Sequence, residues 1–183
     1  PGGLSGPQIP AGKPPQLEPH FTKHISAQQL DRLFPPSFFD DGFAFIRDPL
    51  ARVRSAFHYH QSKRRKIPED ESFEAWLPRI ANFDKQTHAR FDDHFRPQST
   101  FVPDWCKIFW LEEGFDSFIL WLDEWTGTTH PGRMGHVLHG KYTVTPPSDT
   151  VLHFVQGYYA EDYARFGTPP AVAAPITDSP PSN

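Results

Sequence analysis

The sequence is poor in several things that would assign it to a class at once. It has one cysteine, Cys106, so no disulfide framework and no cysteine zinc site can form within the chain. It has no apolar run of 18 residues, which excludes a membrane-spanning helix, and no signal peptide opens it. It has no basic excess: 18 Lys and Arg stand against 22 Asp and Glu, a net charge of -4, where a generic nucleic-acid binder is usually basic. Its hydrophobic fraction, 37%, is below the roughly 45–50% of globular chains. The only Met is Met134 and the chain opens Pro1-Gly2-Gly3, which reads as a piece of something longer. What it does have is aromatic side chains, 15% of 183 residues with 17 Phe, enough for a core and enough to exclude a wholly disordered chain. Ten His supply groups that titrate near neutrality.

Residues 1–19 read as a Pro/Gly-rich linker, 20–167 as one domain, and 168–183 as a disordered tail. Ser26 caps a helix that Pro35-Pro36 stops. Phe43–Arg47 is a short apolar run that reads as a buried strand. Asp48 then serves as N-cap, with Pro49 first in a helix carrying Leu50, Val53, Phe57 and then His60 or Gln61 at helical spacing. A strand leading into a helix implies a parallel sheet. Further along, Ser72–Ile80 reads as an amphipathic helix, 82–98 as a polar stretch outside the core, and Phe101-Val102 and Cys106–Leu111 as strands. Phe115–Trp125 reads as a helix and Ser148–Phe166 as one final helix.

Arg47 ends its strand, where ligands of open α/β sheets bind. Its guanidinium can fork onto a phosphate, and the Ser55 hydroxyl can donate to the same group. Taken alone, the same residues also read as an Arg at a sheet edge and a Ser on a helix face. His20 and His24 precede the first helix, and His24 is the better placed for proton transfer. His88 and His94 lie in the polar stretch, where His94 can bind an acceptor or orient a base. No carboxylate–His spacing suggests a metal. His58 and His60 do not share a helix face. Lys63–Lys66 reads as a solvated basic run that could also attract anions, and the five Trp as core.

The string R-D-P-x-x-R-x-x-S-x-F from Arg47 to Phe57 resembles the 3′-phosphate site of sulfotransferases that use 3′-phosphoadenosine 5′-phosphosulfate (PAPS). The likeness is to the branch holding heparan-sulfate 2-O-sulfotransferase, chondroitin sulfotransferases and bacterial relatives. Asp93–Ser99 is similar to the family's H-W-x-P-Q segment, Lys107–Glu112 to its next strand, and Tyr159–Gly167 to its closing Y-x-x-D-Y-x-x-F-G helix. The resemblance covers about His20 to Gly167. It implies a three-layer, P-loop-like α/β fold with a parallel sheet, N-terminally truncated. The implied reaction is transfer of a sulfuryl group from PAPS to a hydroxyl, on a carbohydrate acceptor, without a metal. Arg47 and Ser55 would hold the 3′-phosphate, with Arg52 supporting them and Lys141 standing in for an Asn-Lys-Ser-like segment. His24 would be the base and His94 its catalytic companion. The single cysteine suits a reducing compartment, the cytoplasm; for a eukaryotic chain the resemblance implies the Golgi lumen.

The family's 5′-phosphosulfate loop has no counterpart: no Gly/Thr-rich loop with a Lys occurs, and Lys13 lies among prolines. The chain by itself is therefore expected to be inactive. The alternative is a non-catalytic nucleotide- or glycan-binding module that keeps only the 3′-phosphate site. A P-loop kinase is disfavoured by the absence of a Walker A string.

Overall fold

The computed structural model describes residues 24–129 and 145–170. The 1–19 linker, His20, Lys141 with its loop, and most of the tail lie outside the described residues.

Helix α1 (Ala27–Leu33) starts at a capping box. The Ser26 hydroxyl accepts the Gln29 N–H at 3.2 Å, and Gln29 Oε1 accepts the Ser26 N–H at 2.9 Å, so two orphan donors are satisfied reciprocally. Strand β1 (Phe43–Ile46) follows. Asp48 then caps α2 (Pro49–His58), its Oδ2 accepting the Ala51 N–H at 3.1 Å. The chain continues through a π turn (Tyr59–Lys63), α3 (Phe73–Trp76) and α4 (Lys85–Arg90) to β2 (Lys107–Trp110). β2 lies parallel to β1, with Phe43 opposite Lys107 and Ile46 opposite Trp110. Parallel strands need a crossover connection, and here residues 47–106 supply it. Helices α5 (Asp116–Thr126), α6 (Asp149–Tyr158) and α7 (Ala160–Phe166) complete a mixed α/β arrangement. Among the described residues the sheet has these two strands.

Two apolar clusters flank α2 and the sheet. One gathers Val53 and Phe57 of α2 with Trp76, Phe95, Val155 and Tyr159, all buried. The other packs Phe43, Phe45 and Phe109 of the sheet against Phe118 of α5, with ring centroids 4.6–5.3 Å apart. Helix α5 ends at Gly127, whose φ of 65° is the left-handed conformation glycine adopts without penalty.

Several sequence expectations are corrected. The 72–80 helix is one α turn, then a 3₁₀ stretch (Leu77–Asn82), because Pro78 has no N–H to continue the α pattern. Phe101-Val102 is not a strand. The last helix breaks at Tyr159 (φ -102°, ψ 25°), whose buried hydroxyl donates to the Phe95 carbonyl at 2.9 Å. The polar 82–98 stretch contributes to the core after all: Phe91 and Phe95 are buried within it. β1 is buried only at its Ile46 end, since Phe43 remains 46% exposed; each strand has a single neighbour among the described residues.

Gly42, immediately before β1, meets the edge of the Trp105 ring, and any Cβ there would overlap it. Trp105 is itself stacked on Phe39 at 5.1 Å, so moving the ring aside disturbs that contact. Gly42→Ala is expected to destabilise the domain by about 1–3 kcal/mol, the usual cost of overpacking, read as a lower urea midpoint. An unchanged midpoint would show that the ring moves without cost.

Candidate active site

The turn after β1 is gripped from three sides. The Gln98 side-chain amide pairs with the Arg47 backbone as a neighbouring strand would: Oε1 accepts the Arg47 N–H at 2.9 Å and Nε2 donates to the Arg47 carbonyl at 2.8 Å. Glu112, at the exit of β2, accepts the Asp48 N–H at 2.9 Å. Asp162 of α7, 1% exposed, accepts the N–H groups of Gln98 and Ser99 at 2.9 and 2.8 Å. Such charge-assisted bonds are about twice as strong as neutral ones. Tyr163, hydrogen-bonded to the Asp48 side chain, is pushed up to about 12 by burial and by that carboxylate. Arg165 donates to the Ser99 carbonyl at 3.1 Å.

Arg47 projects from this turn. Its Nε lies 3.8 Å from Glu112 Oε1 and its side chain is 35% exposed, so the guanidinium is steadied by one carboxylate and keeps further N–H groups toward solvent. Arg52 is a strut: its guanidinium donates to the Arg96 carbonyl at 2.6 Å. Burial pushes it below its ordinary value, against the opposing pull of Tyr159 and Asp162. Ser55 is half-buried on α2, one turn beyond Arg52, and so on the same face of that helix.

His24 and His94 are brought together, their ring centroids 5.3 Å apart. A third imidazole joins them that the sequence reading had set aside. His60 is wholly buried, and its Nε2 lies 3.0 Å from His94 Nδ1. The signal was available: His60 continues the Val53–Phe57 stripe at helical spacing. Asp92 and Asp93, immediately before His94, both take positive φ, 54° and 58°. Consecutive non-glycine residues in this region cost of order 1–3 kcal/mol each, and such strain gathers at functional sites. Both Asp carboxylates of the turn have electrostatic partners: Asp92 pairs with Arg64 at 3.1 Å and Lys66 at 3.6 Å, and Asp93 with Arg96 at 3.1 Å.

Burial drives His60 and His94 down to about 4, and each is lowered further by a neighbouring imidazole: His94 for His60, His24 for His94. Both rings are therefore neutral near pH 7. His88 is buried apart from them, beside Phe83, and burial lowers it too. The two halves of the site are joined by one short segment, with His94 at one end and Gln98, which clasps Arg47, at the other. Arg52, bonded to that segment, also lowers His94.

Gln98, Glu112 and Asp162 had figured in the sequence only as letters within motifs, without a role. No group of three or more His, Cys, Asp or Glu among the described residues is arranged to hold a metal ion. No described helix is long and apolar enough to cross a membrane. Comparison with family models, curated proteins and solved structures finds no match.

Asp162→Asn keeps the shape but turns an amide N–H₂ toward groups that are themselves donors. It is expected to lower stability by about 1–3 kcal/mol, the cost of a buried unsatisfied donor, in urea denaturation; Asp162→Asn at wild-type stability would remove Asp162 as the support of the turn. The histidine pair sets a pH dependence. Unfolded, both rings take up protons below about 6.5; folded, they resist until about 4. The unfolded state thus binds more protons in between. Stability is full above pH 6.5 and falls as pH drops toward 4, by up to about 1.4 kcal/mol per pH unit for each ring. Urea midpoints that stay flat from pH 7 to 4.5 would contradict this.

Proposed function

We propose that these residues form the 3′-phosphate half of a PAPS-dependent sulfotransferase, within a three-layer P-loop-like α/β fold, acting on a hydroxyl of a carbohydrate acceptor. The observation that carries the reading is convergence. The four sequence segments that resemble the family, spread from Arg47 to Gly167, meet at one turn, and that turn presents Arg47. A turn so heavily braced is expensive to build around a side chain with nothing to hold.

In this reading Arg47 binds the 3′-phosphate through its solvent-facing N–H groups, and Ser55 adds a hydroxyl donor from α2. Arg52 keeps α2 against the Arg96 segment, which fixes both. PAPS supplies the sulfuryl group: the acceptor oxygen bonds to sulfur as the bond to the 5′-phosphate breaks, releasing adenosine 3′,5′-bisphosphate, and the acceptor proton passes to His24. The protein's part is positioning and electrostatic stabilisation. The 5′-phosphosulfate half of the site has no counterpart in this sequence, so binding is the property to test.

Titration calorimetry on the 183-residue chain should show adenosine 3′,5′-bisphosphate binding more tightly than adenosine 5′-monophosphate or ATP. Arg47→Ala should weaken the bisphosphate by about 1.5–3 kcal/mol, the usual worth of a charge-assisted hydrogen bond, and leave the monophosphate unaffected. Equal affinities for all three nucleotides, or an Arg47→Ala variant that binds like wild type, would sink the assignment. Tight binding of the bisphosphate with no transfer of labelled sulfate would favour the non-catalytic binding module.

A further inference from the structure

The row of three imidazoles has a direction that follows from its buried end. A neutral imidazole carries one proton, on either nitrogen. His60 Nε2 and His94 Nδ1 are 3.0 Å apart, so one of the two donates. The other nitrogen of His60, Nδ1, is buried and has no hydrogen-bond partner. The Phe91 carbonyl lies close enough to favour charge on His60 weakly, but it stands outside hydrogen-bond geometry. A buried N–H without a partner is the rarer and costlier defect; a bare acceptor is better tolerated. The proton of His60 therefore sits on Nε2 and is given to His94 Nδ1. The neutral His94 ring must then carry its own proton on Nε2.

We infer that His60 is a positioning residue that donates Nε2–H to His94 and fixes it as the Nε2–H tautomer, so that His94 serves the site as a neutral hydrogen-bond donor while His24 remains the group that accepts a proton. The division of labour rests on the sulfuryl-transfer reading; the tautomer rests on the geometry alone. It gives a definite form to the sequence expectation, in which His24 is the base and His94 binds an acceptor or orients that base. A neutral imidazole held as a donor toward developing charge has precedent in triosephosphate isomerase. Here the surroundings keep it neutral from every side. Burial first, then His24, Arg52 and Lys66, oppose a positive ring at His94, while Asp92 favours it. Tyr59 closes over the ring at 5.6 Å. The paired left-handed residues Asp92 and Asp93 set the backbone that brings Nδ1 to His60.

The test is long-range ¹H–¹⁵N spectroscopy of the full chain labelled at histidine, at pH 7.5. The expected pattern is a protonated Nε2 and a bare Nδ1 on both His94 and His60. A proton on His94 Nδ1 would reverse the direction and overturn the inference. His60→Leu should abolish the single tautomer of His94, so that its two nitrogens average, and His60→Gln, which can still donate an amide N–H, should restore it. A His94 pattern unchanged in a folded His60→Leu variant would equally overturn it. If that variant does not fold, the wild-type spectrum decides alone. Nucleotide calorimetry is a separate readout: loss of bisphosphate binding would remove the sulfuryl-transfer reading and leave the tautomer result standing.

Discussion

Gln98 and Ser99 open a 3₁₀ turn (Gln98–Thr100) whose first N–H groups have no partner within it, and the Asp162 carboxylate takes both. Everything around the β1–α2 turn depends on that arrangement. With its backbone held, Gln98 can present its amide edge-on to Arg47 and stand in for a third strand. With Arg47 and Asp48 clasped, α2 leaves the sheet at a fixed angle, and its apolar face reaches Trp76, Phe95 and Val155. A buried carboxylate is costly unless it is hydrogen-bonded, and here the hydrogen bonds that offset the cost are the ones that shape the site.

A second constraint, the consecutive left-handed residues Asp92 and Asp93, acts on the other half. Asp tolerates this region better than most residues because its short side chain can bond locally. The ion pairs to Arg64, Lys66 and Arg96 help hold it there. The basic run that reads in sequence as a solvated loop thus also steadies the turn before His94, through Arg64 and Lys66.

How much of this was legible beforehand depended on range. Local signals read well: the Ser26 and Asp48 caps, the β1–α2 unit and β2 within a residue or so, because caps and apolar runs act over a few positions. Pro78 was visible in the sequence, but the apolar stripe around it outweighed a single residue. The 82–98 stretch misled because its average polarity hid two Phe, at positions 91 and 95, which the left-handed turn at Asp92 and Asp93 between them delivers to the core. The pairing of His24 with His94 was anticipated only as a shared role, and His60 only as a continuation of the α2 stripe. No sequence rule places a residue of one helix against a turn 34 positions later. The same holds for Asp162: its type and place in a motif were plain, but a carboxylate's acceptance of two distant N–H groups is a fact of tertiary packing.

The long reach of the Asp162 contacts sets an order of events during synthesis. Arg47 pairs with a residue 51 positions later, and that residue with one 64 positions later still. A growing chain can form β1, α2 and even the β1–β2 pair before the last helix has emerged, yet the Arg47 turn would then be supported by Gln98 with its own backbone unpaired. Closing loops of that length carries an entropic cost that must be met before the contacts repay it. Arg47 is thus made early and is among the last parts of the site to be set in place, so that incomplete chains ending before α7 carry its charge without its geometry.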